Sequence, residues 1–323
     1  MKRVMIPLSY TTSPLLSDFL RDIDTIRQSI LCAPIPLSVE RALEWRASLA
    51  RIHGTLALTQ SPVSIREISH TLTRPAKKTT ASDRQLIIAS RETFVSIRHQ
   101  WTGSPKIPTT ETILDLAQSL YPSRKEKVRR RIAAADGDIT QMLRYVQAKP
   151  DHPVTTAATI HIALLLHPPI EDDAGILPRA VASLILAKHG YDLRGMAAVE
   201  ASFGEHPDAY RRAAELARTQ PTITSWLEYA AGRTRMAYRT LWEEIETIHR
   251  EPFMKRSEDQ PLTDRQKHML ELLANPTSTL SNSIVQKHFR VSQITASRDL
   301  ARLSSLGLLY PHGKGRAVYY TRV

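Results

Sequence analysis

The residues best equipped for chemistry lie in one short stretch, HPPIEDDAGILPR, residues 167–179. His167 has a nitrogen that can take a proton near neutral pH, and Glu171, Asp172 and Asp173 can hold a cation or orient a nucleophile. A histidine followed within six residues by three carboxylates raises the question of a catalytic loop or a metal site. The same acids also have a simpler role. Near the positive end of the following helix each adds between a few tenths and about 1 kcal/mol, and the sequence favours this over metal binding. His161 and His167 are six residues apart, which is not one helical face, so this segment holds no zinc site. His161 reads as a core histidine with a backbone partner.

The elements that must position this stretch are helices. Residues 157–166 form an apolar run interrupted by His161, too short to cross a bilayer and suited to a buried helix. Leu15, Leu16, Phe19, Leu20 and Ile23 fall on one helical face, as do Leu43, Ala47, Ala50 and Ile52. Residues 110–120 and 123–135 read as two helices, the second opened by a Ser123/Glu126 capping box. Residues 221–249 carry Trp226, Leu227, Ala230, Met236, Ala237, Leu241 and Ile245 at helical spacing. Composition agrees with a mostly α fold: 42% hydrophobic residues and only 6% aromatic, in 323 residues. The basic run at residues 123–131, six cations in nine, reads as a solvated helix face.

Net charge is +12, which favours a polyanionic partner. No span or signal-like core is present, so the expected location is cytoplasmic with no membrane attachment. The single Cys32 excludes an internal disulfide and a cysteine-rich metal site. Residues 251–261 lose periodicity and read as a linker between residues 1–250 and 262–323. The last unit holds nine Lys/Arg against three acids, a net +6, so half the charge lies in the last fifth of the chain.

Within that unit, residues 262–274 and 280–289 form amphipathic helices. Arg290 and Val291 turn the chain, and Ser292 caps a third helix to residue 306 whose Ala296, Leu300 and Leu303 face inward. Gly307 ends it, and a hairpin turning at residues 313–315 follows. VSQITASRDLARLSSLGLL and the basic hairpin resemble the winged helix-turn-helix regulators. The resemblance implies binding to double-stranded DNA: Gln293, Thr295, Ser297 and Arg298 would reach base edges, while Ser292, Arg302, Lys314 and Arg316 would meet phosphates. Paired half-sites imply a homodimer.

Residues 151–190, with RIHGT at 51–55, resemble the Fic family, whose active members carry H-P-F-x-D-G-N-G-R-x-x-R and move AMP from ATP onto a protein hydroxyl. The resemblance places His167 at the base and Glu171 at the Mg²⁺ carboxylate. Elsewhere the pattern is degenerate: Pro169 replaces the phenylalanine, Asp172, Asp173, Ala174 and Gly175 stand at G-N-G-R, and Pro178 takes the second arginine position. Arg179 would serve there only through a one-residue bulge. A carboxylate about 4 Å from a phosphate costs roughly 4 kcal/mol at an effective dielectric near 20. His53 occupies the place of the inhibitory glutamate. The expectation is a pseudoenzyme domain without cofactor, serving dimerisation or ligand sensing, joined to a DNA-binding unit. The alternative is a working adenylyltransferase using His167 and Glu171 with ATP and Mg²⁺.

Overall fold

The computed structural model describes residues 8–59, 63–73, 81–148, 151–170, 175–250, 262–273, 278–306, 308–312 and 318–322. Among them are fifteen α-helices and three short strands, the strands all near the C-terminus. None of these helices is long and apolar enough to cross a membrane.

Two helices that are apolar on every side form the centre. The first, α8 (Pro153–Leu166), buries ten of its fourteen residues, so no solvent-facing stripe remains. Its start is set by Pro153 at the first position and by His152, whose Nδ1 accepts from the Val154 N–H. It stops at His167, where Pro168 forbids a further turn. The second, α9 (Ile176–Lys188), buries eleven of thirteen and packs along α8. Because both are surrounded, other helices must enclose them.

The enclosing layer includes α12 (Thr224–Arg250) on α8, with α1 (Pro14–Cys32) laid along α12. The Trp226 indole N–H donates to the Ala158 carbonyl at 2.8 Å, tying α12 to α8 in the dry interior. On the other side α4 (Ala81–Trp101) and α5 (Thr110–Leu120) cover α9. Ser13 caps α1 ahead of Pro14, and Thr109 and Thr112 cap α5 reciprocally.

The closest approach joins α2 (Leu37–Leu56) to α10 (Val199–Gly204). A Cβ added at Gly54 would lie 2.3 Å from the Glu200 carbonyl oxygen, and one at Gly204 would lie 2.4 Å from the Gly54 oxygen. Backbone meets backbone here, so only glycine fits. The Arg51 guanidinium, one turn before Gly54, bridges the Glu200 carboxylate at 3.2 Å and the Ala197 carbonyl at 2.6 Å.

A second, smaller core lies in residues 262–322. Met269 of α13 (Asp264–Leu272), Val285 of α14 (Asn282–Phe289), Ala296, Leu300 and Leu303 of α15 (Gln293–Ser305) and Leu309 of β2 (Leu309–His312) meet there. The antiparallel sheet has the order β1 (Leu280–Ser281), β3 (Tyr319–Arg322), β2, with Leu280 opposite Tyr320 and Tyr310 opposite Thr321. The sheet also packs on the helical body. His312, buried, lies 2.5 Å from Ser69 Oγ of α3 (Ile65–Thr73) and 2.8 Å from Thr321 Oγ1, and its ring stacks on Tyr319 at 4.8 Å. Tyr310 meets Trp45 of α2 edge to face.

Several expectations are corrected. The helix expected over 123–135 is a 3₁₀ turn, Pro122–Arg124, followed by α6 (Lys125–Ala134), and its N-cap is Arg124 without a side-chain bond, so the Ser123 box does not form. Proline at 122 starts the chain one turn early and takes Ser123 into that turn. Leu15 and Met236 are exposed rather than inward, because the buried stripe of α1 runs through Leu16, Ile23 and Ile30 and that of α12 through Ala230, Tyr238, Leu241 and Ile245. Residues 280–281 pair with Tyr319 and Tyr320 as a strand before the helix begins. The proposed linker, Gly307 and the hairpin turn lie outside the described residues.

Replacing His312 with valine leaves the buried hydroxyls of Ser69 and Thr321 without this partner, and stability in urea is expected to fall by about 1–3 kcal/mol. Gly54→Ala forces two helix backbones apart and is expected to cost a similar amount or more, measured the same way.

Candidate functional site

His167 ends α8, with its backbone N–H bonded to the Ala163 carbonyl at 3.0 Å and its side chain half buried. Glu171, Asp172, Asp173 and Ala174 lie outside the described residues. The chain resumes at Gly175, the N-cap of α9, with φ 62° and ψ 36° and no side-chain cap. This left-handed geometry suits glycine. A Cβ there would lie 2.7 Å from Leu165 Cδ1, so an arginine at this position would meet both backbone strain and a packed side chain. Pro178 is buried in the first turn.

Arg179 does not take over through a bulge, because α9 runs unbroken from Ile176 to Lys188. Its helical phase turns the side chain into the core, where the residue is 1% exposed. Nη2 donates to the Thr55 carbonyl at 3.1 Å and Nη1 to the Tyr210 hydroxyl of α11 (Pro207–Thr219) at 3.4 Å. The guanidinium also lies over the Tyr210 ring, 5.8 Å from its centroid. Nε has no hydrogen-bond partner among the described residues. Thr55 belongs to the last turn of α2, so the carbonyl end of that helix supplies partial negative charge to the buried cation. This arginine is therefore committed to the end of α2, two residues beyond His53.

The surroundings of Arg179 form an aromatic nest. His161 is fully buried, and its partner is a side chain rather than the expected backbone group: Nε2 lies 2.8 Å from the Tyr210 hydroxyl. Phe203 and Trp226 meet the imidazole ring edge to face at 5.5 Å and 5.1 Å. Burial, with the Arg179 charge beside it, holds the His161 pKa well below the ordinary histidine value. A cavity of about 20 Å³ between α8, α9, α10 and α12 is lined by His161, Arg179, Ser183 and Glu200 among others. That is room for a water molecule and not for a nucleotide. His53 is half buried, and burial lowers its pKa as well. No group of three or more His, Cys, Asp or Glu among the described residues is placed to hold a metal ion.

The second candidate surface is α15. Ser292 caps it, accepting from the Thr295 N–H at 3.2 Å, and the Thr295 hydroxyl lies 3.0 Å from the Ser292 hydroxyl. Asn282 of α14 donates from Nδ2 to the Gln293 carbonyl at 3.2 Å and to Ser297 Oγ at 2.7 Å, which fixes α14 against the first turns of α15. Ser292, Gln293, Ser297 and Arg298 are exposed, Thr295 and Arg302 half buried. The one acid of this helix, Asp299, is 4% exposed and points away, bonded to Arg265 at 2.6 Å and Gln266 at 2.8 Å. The outer face of α15 thus has no carboxylate. Lys314 and Arg316 lie outside the described residues.

Sequence reasoning missed the burial of Arg179 and the exposure of Ile294. Arg179 carries a signal, since it is the only charge before the last turn of a helix otherwise apolar all round. Ile294 is 72% exposed on the outer face of α15. Its signal is also present: it falls out of phase with Ala296, Leu300 and Leu303.

The sequence matches no family model and no curated protein. Among solved structures, the chain is similar to a Fic family protein from Desulfovibrio desulfuricans G20, with a TM-score of 0.59 over 97% of both chains at 14% sequence identity. The likeness is one of fold.

Because His161 is held neutral inside the protein but takes a proton in the unfolded chain below about pH 6.5, stability is lost as pH falls below that value. The limiting contribution is about 1.4 kcal/mol per pH unit. Urea denaturation between pH 7.5 and 5.5 is expected to show this slope, and His161→Phe to reduce it. Arg179→Met, which removes a desolvated charge and keeps the volume, is expected to change stability by no more than about 1–2 kcal/mol. Arg179→Ala opens a cavity and is expected to cost about 2–5 kcal/mol.

Proposed function

We propose that the chain is a cytoplasmic DNA-binding transcription regulator, in which residues 262–323 act as a winged helix-turn-helix and residues 1–250 as a Fic-like body that has lost catalysis. The observation that carries this reading is the outer face of α15: exposed Gln293 and Arg298, a capped and braced first turn, and the sole acid turned inward to Arg265 and Gln266. A helix presenting that face can enter the major groove without repelling phosphates, and the fork of Arg298 suits guanine O6 and N7. No side-chain partner occupies Gln293 or Arg298 among the described residues, whereas Ser297 and Thr295 are engaged by Asn282 and Ser292. Base reading therefore falls chiefly to Gln293 and Arg298. Ser292, Arg302, Lys314 and Arg316 would position the duplex through its backbone, and a homodimer would pair two half-sites.

The Fic-like body needs no cofactor in this reading and serves as a dimerisation or ligand-sensing platform. AMP transfer from ATP with Mg²⁺, through His167 and Glu171, is the weaker reading on physical grounds. Such transfer needs an arginine for the developing phosphate charge. Gly175 and Pro178 stand at the two arginine positions, and Arg179 is buried against Thr55.

Selection from random duplex DNA with the full-length protein is expected to enrich a palindrome. Arg298→Ala should relax preference at one base pair, at about 1–3 kcal/mol, and Lys314→Ala should weaken all sequences alike while reducing the salt dependence by about one counter-ion. Absence of duplex binding at about 50 mM salt overturns the DNA reading. Label transfer from ATP that is lost in His167→Ala would establish the enzyme instead.

A further inference from the structure

Ile294 is the most exposed large apolar residue among the described ones, at 72%. It sits in the first turn of α15, immediately after the Ser292 cap, and shares the outer face with Gln293, Ser297, Arg298 and Ala301. The rest of that face is polar or small. Its backbone is not free to turn the side chain inward, because the first turn is held at Ser292 by the cap and at Gln293 and Ser297 by Asn282. The inward positions are already filled by Ala296, Leu300 and Leu303, which are buried in the small core. Ile294 is therefore no part of the small core among the described residues and presents most of a branched hydrocarbon group to solvent.

Resting on the DNA-binding reading above, we propose that Ile294 is a base-reading residue specific for thymine, with its side chain packed against the C5-methyl group in the major groove. Three features argue for this occupant. The methyl of thymine is the one apolar group that a base pair offers on the major-groove edge. Ile294 stands beside the two side chains best placed for hydrogen-bond readout, four residues before Arg298 on the same helical face. The face is free of carboxylates, since Asp299 is turned inward, so it accepts a polyanionic surface where an acidic rim would exclude it. Together Gln293 and Arg298 would read polar edges and Ile294 an apolar one, so that a thymine lies within one or two base pairs of the guanine contacted by Arg298.

The test uses the full-length protein and the duplex obtained by selection, with each thymine replaced in turn by deoxyuridine, which removes the methyl and nothing else. Affinity for the wild-type protein is expected to fall about fourfold at one thymine in each half-site, the value of one buried methyl group. Ile294→Ala should bind the thymine duplex about as the wild type binds the deoxyuridine one, and should show no response to the replacement. Because the residue is exposed, the variant is expected to keep the wild-type Tm, which checks folding. If the protein binds a selected site but no thymine responds, if the selected site has no thymine there, or if Ile294→Ala responds as the wild type does, the assignment of Ile294 is overturned while the DNA reading stands. Loss of self-association in Ile294→Ala with an unchanged deoxyuridine response assigns the residue to a protein contact and overturns the proposal equally. Failure to bind any duplex at about 50 mM salt removes the DNA reading itself, and this inference with it.

Discussion

A guanidinium buried to 1% exposure sets the terms for the helical body. Arg179 has no carboxylate partner among the described residues, and a cation in a dry interior must find dipoles or leave. It finds the carbonyl end of α2, the hydroxyl of Tyr210 and the face of the same ring. Those contacts require α2 to stop where it does, α11 to stand beside α9, and the α2–α10 crossing to be close enough to bring Thr55 within reach. The glycine pair makes that crossing. Arg51 and Glu200 brace it from one turn away, so an ion pair and a cation held by dipoles lie in one layer beside the same helix.

His167 stands at the end of α8, and the chain enters α9 through a left-handed glycine, Gly175, and a buried proline, Pro178. Arg179, the next residue, is buried as well, and its helical phase directs the guanidinium to the Thr55 carbonyl and the Tyr210 hydroxyl.

Much of this was legible in the sequence. The long apolar run of α8, the cap at Ser292, and the core positions Ala296, Leu300 and Leu303 follow from periodicity and from local hydrogen bonding, which act within a few residues. What was not legible depends on neighbours far along the chain. Leu15 and Met236 have the right spacing for the core yet face outward, because the width of the buried stripe is fixed by what packs against it. The strand at Leu280 exists only because Tyr319 and Tyr320 arrive beside it. The partner of His161 is forty-nine residues distant, and no local pattern announces a tyrosine there. Capping at Ser123 failed for a local reason that was visible, the proline one residue earlier.

The contact between Gly54 and Gly204 has a consequence of another kind, concerning how such a chain can change over time. Neither glycine touches a ligand or carries a charge, and any side chain at either would collide with main chain. A solvent-facing position can exchange one side chain for another at little cost in stability. These two positions have no such latitude, because every alternative is a collision whatever the protein does. Geometry of this sort holds an architecture constant while the surface around it is free to vary.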